Sequence, residues 1–229
     1  MNTPLPVIKP QDSRLFALLI AFISGAVDAL SHVQFHSLVA TQTGNIVMMV
    51  GDLVEGDWGD FLSKADSIAF FSLGFLVGIE LKTRAKTAYW RSYAMLPFAI
   101  GCFILPWLLD LRFLSVGILA FGTGIIMSAF NDSKIESDSY TVMIASGNYR
   151  KMFTAWHGYL VLKQGPAQKH KAMNYFWIVL SFVVGAALSA LASYLFDGWA
   201  AWLVCAVAVL AILHYSREVV RQDLKYTNL

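Results

Sequence analysis

The chain has 229 residues, of which 57% are hydrophobic and 14% charged, and its mean hydropathy is +0.58. A soluble domain carries about 25% charged residues, and the few charges here collect in short stretches between long apolar runs, which excludes an ordinary soluble protein and indicates spans and loops. The net charge of +2 contains no basic block long enough for nucleic acid.

In chain order, residues 1–14 carry Lys9 and Arg14 and lead into the apolar run Leu15–Leu30. Asp28 interrupts that run and no convincing small-residue cleavage site follows, so it reads as an uncleaved first span. Further strong stretches are Ser67–Leu81, Ser92–Leu109, Phe113–Phe130, Asn174–Phe196 and Trp199–Tyr215. A membrane span needs about 20 mostly apolar residues. Two weaker stretches, Ser37–Leu53 and Tyr140–Leu162, are broken by the polar runs 41–45 and 146–151. Polar or irregular backbone at membrane depth is tolerated only where protein or a wet cavity covers it. Cys102 and Cys205 lie inside apolar runs and read as packing residues.

The two weak stretches match each other. Thr43-Gly44-Asn45 and Ser146-Gly147-Asn148 are 103 residues apart, and the same offset carries Asp28 onto Asn131, Val39 onto Val142, Met49 onto Met152 and Cys102 onto Cys205. This indicates an internal duplication, with a first membrane repeat at 15–110 and a second at 113–216, flanked by cytoplasmic segments 1–14 and 217–229. If the weak stretches dip in and return, all but two of the 17 Lys and Arg face one side; the exceptions are Lys64 and Arg112. That satisfies the positive-inside rule with both termini cytoplasmic. If both stretches crossed instead, the basic loop 82–91 and the basic N-terminus would face opposite sides. The expected fold is therefore an all-α integral membrane protein, six transmembrane helices plus two broken or re-entrant segments, arranged as a 3+3 inverted repeat. Arg150 follows the second motif closely, so either Asp28 partners it or the second weak stretch is shallower than the first.

The segment Ser24-Gly25-Ala26-Val27-Asp28-Ala29, followed by Thr43-Gly44-Asn45, resembles the YoaK-like family of bacterial transmembrane proteins of unknown function. The resemblance extends from Arg14 to about Ser216, with Asn131 and Ser146-Gly147 at the positions of the family's weaker second copy. The second half departs in having Ser for Thr and the charged run 132–138. The resemblance implies a multi-pass protein of the bacterial cytoplasmic membrane and brings no activity with it.

The candidate chemistry lies at the breaks. Hydroxyl and Asn residues around a Gly are N-cap chemistry, and a helix starting inside the membrane would aim its N–H groups and positive dipole end at a cavity. Two such ends favour anionic or neutral solutes. The expected substrate-binding groups are Thr43, Gly44, Asn45, Ser146, Gly147 and Asn148, with Asp28 and Asn131 behind them. The competing reading is two helix breaks whose polar groups satisfy one another. An acid in an apolar span costs about 3 kcal/mol on insertion scales, so Asp28 either carries a proton, finds a partner or sits near the interface. His32 and His36 have metal-ligand spacing on a helix but no third ligand, and an interfacial pair is the plainer reading. No nucleophile–base pair or phosphate loop appears, so no enzyme activity and no cofactor are expected. The expected function is a small-solute permease or channel, proton-linked through Asp28; the alternative is a non-transporting membrane scaffold or sensor. The expected partners are the lipid bilayer, a small solute and a second copy of the chain, docked through the small-residue faces Gly74/Gly78 and Gly185/Ser189.

Overall fold

The computed structural model describes residues 9–224; residues 1–8 and 225–229, the outer parts of the two expected cytoplasmic segments, lie outside the described residues. It holds helices α1 (Arg14–Phe35), α2 (Gln42–Glu55), α3 (Trp58–Arg84), α4 (Trp90–Ile104), α5 (Arg112–Phe130), α6 (Ala145–Leu160), α7 (Pro166–Phe196) and α8 (Ala201–Arg221), with a two-residue hairpin, β1 (Lys134–Ile135) and β2 (Asp138–Ser139), between α5 and α6. Five of the six expected strong stretches fall within or mostly within a long helix, and the sixth, Ser92–Leu109, falls on the 15-residue α4 and the turn after it. Each weak stretch becomes irregular backbone followed by a shorter helix, α2 or α6.

Local chemistry sets the ends. Ser13 caps α1 by accepting from the Phe16 N–H at 3.2 Å, and Asp57 caps α3 by accepting from Asp60 N at 3.0 Å. Gly56, at φ 78°, ends α2 in the left-handed conformation that glycine adopts without a Cβ clash. The Pro97 ring lies inside α4, which then tightens into a 3-10 turn at Leu105–Trp107.

Four helical runs among the described residues are long and apolar enough to cross a membrane: α1, α3, α5 and the run Pro166–Arg221. The expected count of six spans adds α4 to these and divides the last run into two. Helix α4 has 15 residues, about 22 Å at 1.5 Å per residue, shorter than a hydrocarbon core. The run Pro166–Arg221 holds two helices, α7 and α8, divided by the 3-10 turn Asp197–Ala200, where Asp197 at φ 53° leaves the helical conformation. Large apolar side chains point outward along α3, α4, α7 and α8, among them Leu76, Phe103, Leu191 and Leu213. Such long exposed apolar faces suit lipid rather than water.

The packing has a regular plan. Helix α1 packs along α7 and α3 along α5; α2 lies on α3 and α6 on α7; α4 borders α5 and α8 borders α1; α4 and α8 meet each other. Exchanging α1–α4 with α5–α8 maps these pairings onto one another and the α4–α8 pairing onto itself. The two long crossings are closed by reciprocal glycines. A Cβ on Gly25 would overlap the Phe182 carbonyl and one on Gly185 the Phe22 carbonyl; Gly74 meets Phe121, and Gly124 meets Phe71, in the same way. Gly78 lies against Ser128 of α5. The faces expected to join two copies of the chain are thus filled from within one chain.

Charge pairs close both ends of the bundle. Arg91 is fully buried between the Trp90 and Phe130 rings and donates to the Ala129 carbonyl at 2.9 Å and to Asp132 at 3.2 Å, tying the start of α4 to the end of α5. At the other end Lys64, 3% exposed, reaches Asp52 at 2.6 Å and clips α2 to α3, while Asp60 takes Arg112 and His36. Glu80 pairs with Arg84 on the surface of α3. His36 therefore has a carboxylate partner, and no group of three metal-ligating side chains occurs among the described residues.

Candidate functional site at two clamped helix breaks

The backbone is irregular over residues 36–41, between α1 and α2, and over most of 131–144, between α5 and α6. Buried peptide groups that leave a helix must find other partners, and at both breaks an asparagine supplies them. Asn45 Oδ1 accepts from Leu38 N at 2.8 Å, and its Nδ2 donates to Leu38 O at 2.5 Å. Asn148 Oδ1 accepts from Thr141 N at 2.7 Å, and its Nδ2 donates to Thr141 O at 2.7 Å. A side-chain amide presents the same donor and acceptor as a peptide, so each Asn clamps both polar groups of the residue seven positions earlier. Both side chains are buried.

The glycine before each Asn has a matching task. A Cβ on Gly44 would press on Leu38, and one on Gly147 would press on Thr141, the same residues that the Asn side chains clamp. The Gly-Asn pair is therefore a unit: glycine clears space for the returning loop and asparagine fastens it. The hydroxyl residues take no part in this. Thr43 and Ser146 are exposed in the first turns of α2 and α6, and the N-cap positions belong to Thr41 and Ile144, neither of which makes a side-chain capping bond. The N-cap role expected of the motif is not what its hydroxyls do.

Asp28 is buried on α1 and serves the first break. Its Oδ1 accepts from Val39 N at 3.0 Å and Ala40 N at 2.7 Å, and its Oδ2 from the Thr41 hydroxyl at 2.6 Å. Charge-assisted bonds of this kind are roughly twice as strong as neutral ones. Two groups not singled out in the sequence complete the seat: Ser67 of α3 donates to Leu38 O at 2.6 Å, and Gln42 donates to Val39 O at 2.9 Å. Only the polar run 41–45 hinted at Gln42, and Ser67 carried no signal, because a single Ser in a span usually bonds its own helix. Thr123 does that, donating to Leu119 O at 2.7 Å.

The second break has no equivalent of Asp28. Asn131 is exposed at the C-cap of α5 and does not meet the break. Ser24 of α1 reaches across instead and donates to Met143 O at 2.8 Å. Met143 has φ 57°, a strained value for a non-glycine residue, held here by burial and by that bond. Ser24, Thr141, Asn148 and Phe182 border a small cavity of about 10 Å³, roughly one water's worth. Arg150 is exposed on α6 and does not partner Asp28, whose carboxylate is taken up by the first break.

Apolar helices of membrane-crossing length, apolar outer faces and breaks sealed by internal polar groups define a helical membrane protein. A family model described as "Protein of unknown function (DUF1275)" matches residues 16–214, and the chain belongs to that family. No curated protein and no solved structure matches the chain.

Proposed function

We propose that this protein is a small-solute permease of a bacterial cytoplasmic membrane, six-spanning with a 3+3 inverted repeat, and that the structure is its occluded form. The observation that carries this reading is the exchange symmetry of the helix packing, combined with a Gly-Asn clamp at the corresponding break of each half. Paired breaks on exchangeable halves are the architecture of alternating-access carriers, in which one half rocks against the other. The small cavity bordered by Ser24, Thr141 and Asn148 is where a neutral or anionic solute would enter the second break. Asp28 gives the first break a dependence on charge. Protonation would turn its charge-assisted bonds into ordinary ones and weaken the hold on residues 39–41.

The test is uptake into proteoliposomes with a panel of small anions, neutral metabolites and cations at two pH values. A transported solute, with transport lost in Asn148→Ala and its pH dependence lost in Asp28→Asn, supports the reading. A full panel without transport by well-folded protein sinks it. Cysteine labelling from each side, with Ser137→Cys reacting from the cytoplasm and Asp57→Cys from outside, tests the orientation; the reverse pattern overturns it.

One observation favours a scaffold or sensor instead. Both Asn amides are consumed by backbone, which leaves them no free group for a solute. Under that reading Asn45→Ala and Asn148→Ala lower stability and there is no transport to lose.

A further inference from the structure

Away from the breaks, α6 and α7 enclose a pocket of about 240 Å³ lined by Arg150, Lys151 and Thr154 from one helix and Gln168, Lys171 and Tyr175 from the other. Residues 150, 151 and 154 share a face of α6, and 168, 171 and 175 share one of α7, by the three-and-four spacing of a helix. Three cations converge there. Lys171 has Asp138 at 3.5 Å, but Lys151 has only the Ser139 carbonyl, at 3.0 Å, and the Tyr175 ring, 5.9 Å from its ammonium. Arg150 has no ion-pair or hydrogen-bonding side-chain partner among the described residues. The Tyr175 hydroxyl also donates to Ser139 O, at 2.8 Å, so the hairpin and α7 fix the floor of the pocket. One carboxylate against three cations leaves the pocket electropositive, and like charges held this close repel unless an anion joins them.

We propose that this pocket binds a phosphate group, as carried by an anionic phospholipid headgroup. Depth supports the lipid source. Lys171 is the last charge before the apolar run of α7, which puts the pocket at the level where headgroups lie. Exposed aromatics stand near it in the chain, Tyr149 and Phe153 on α6 and Phe176 and Trp177 on α7, as at a membrane interface. The volume suits a headgroup and falls below the usual range of about 300–1,000 Å³ for larger ligands. Arg150 supplies a planar fork matched to phosphate oxygens, Lys151 and Lys171 supply point charges, and Gln168, whose amide gives one hydrogen to Gln164, has a second neutral N–H to donate. The proposal is independent of whether the breaks carry a solute.

The experiment uses the full chain in an uncharged detergent and reads its thermal midpoint against short-chain phosphatidylglycerol, short-chain phosphatidylcholine and inorganic phosphate. A ligand of the folded state raises the midpoint by mass action. Phosphatidylglycerol should raise it more than phosphatidylcholine does. Arg150→Gln should weaken the apparent affinity about ten-fold, the loss of one charge-assisted hydrogen bond. Arg150 holds nothing else in place, so this variant tests binding without disturbing the fold. Lys169→Gln, on α7 but outside the pocket lining, should respond like the wild type. If inorganic phosphate alone reproduces the effect and its dependence on Arg150, the phosphate site stands and its source is soluble. Equal responses to the two lipids with none to phosphate, or an Arg150→Gln response equal to the wild type, overturn the proposal.

Discussion

Replacing Asn148 with alanine removes three hydrogen bonds, to Thr141 N, Thr141 O and Ile144 O. The Ile144 carbonyl sits at the start of α6 and can still serve the helix, so two polar groups of Thr141 are left unanswered. Each buried unsatisfied group costs about 1–3 kcal/mol, which gives a loss of about 2–6 kcal/mol for the two. Solvation from the adjoining cavity, with room for one water, pulls toward the lower figure. At about 2–4 °C per kcal/mol for a chain of this size, the thermal midpoint falls by on the order of 5–15 °C. Asn45→Ala should cost less. The first break keeps Asp28 on residues 39–41, Gln42 on Val39 O and Ser67 on Leu38 O, so only Leu38 N is stranded. That is one group, about 1–3 kcal/mol. Thr43→Ala and Ser146→Ala, at exposed positions, should stay within about 0.5 kcal/mol of the wild type. The assay is thermal unfolding of the purified protein in detergent, followed by circular dichroism. An unchanged midpoint in Asn148→Ala, or a larger loss in Asn45→Ala than in Asn148→Ala, would refute the clamp and its stated asymmetry.

Asp28→Asn preserves shape: its oxygen can still accept from Val39 and Ala40, and its amide can donate to a reoriented Thr41 hydroxyl, so a loss of only about 1 kcal/mol is expected in denaturant titration. Asp28→Ala strands all three donors and should cost about 3 kcal/mol or more; equal losses in the two variants would count against this account. Gly25→Val forces side-chain atoms into the Phe182 carbonyl and should abolish the monodisperse peak in gel filtration, whereas Gly51→Val, with open space at its Cβ, should leave it intact. The hydrogen bond from His170, at 2.5 Å, holds the Glu136 carboxyl below its usual 4.5, with partial burial opposing it. A lowered folded-state value contributes stability that is present above about pH 4.5 and is lost as pH falls through the lowered value. Glu136→Gln should therefore flatten the midpoint-versus-pH curve in that acid window, and an unaltered acid limb would contradict this account.

The sequence disclosed the long helices because lipid-facing and buried residues are both apolar, which leaves continuous runs in α1, α3, α5 and α7. It disclosed the duplicated breaks because glycine and asparagine are rare together inside apolar stretches, and the offset of 103 recurs as the same two-point clamp on Leu38 and Thr141. It misassigned the motif's hydroxyls, since Thr and Ser before Gly look like caps although the loop, rather than the helix end, needed partners. It also matched Asn131 to Asp28 by number alone. The reciprocal glycines show the structural register: Gly25 of α1 plays the part of Gly124 in α5, a shift of 99 rather than 103, so residue 131 falls beyond the end of the equivalent helix. A one-turn slip of four residues is invisible to a helical hydrophobic pattern, which nearly repeats every 3.6 residues.

That slip separates what the two halves have in common from what differs between them. The helix crossings and Gly-Asn clamps obey the exchange of halves, whereas the acid does not. Residues 38–41 of break one are fastened by a carboxylate, two side-chain amides and a serine of α3; residues 141–144 of break two are fastened by one amide and by Ser24 on Met143. Two breaks with the same clamp but different reinforcement are not equally easy to open. Residues 141–144 have fewer bonds to lose and an adjoining cavity, so thermal opening should begin there. The first gives way more readily once Asp28 is neutral. In a carrier this makes one step intrinsic and the other dependent on a proton, and in a sensor it makes the first break the element that reads charge. Hydrogen exchange distinguishes the breaks directly: amides 141–144 should exchange faster than amides 38–41 at neutral pH, and acidification should accelerate the second group selectively. Exchange that is equal at the two breaks and insensitive to Asp28→Asn would contradict that ordering.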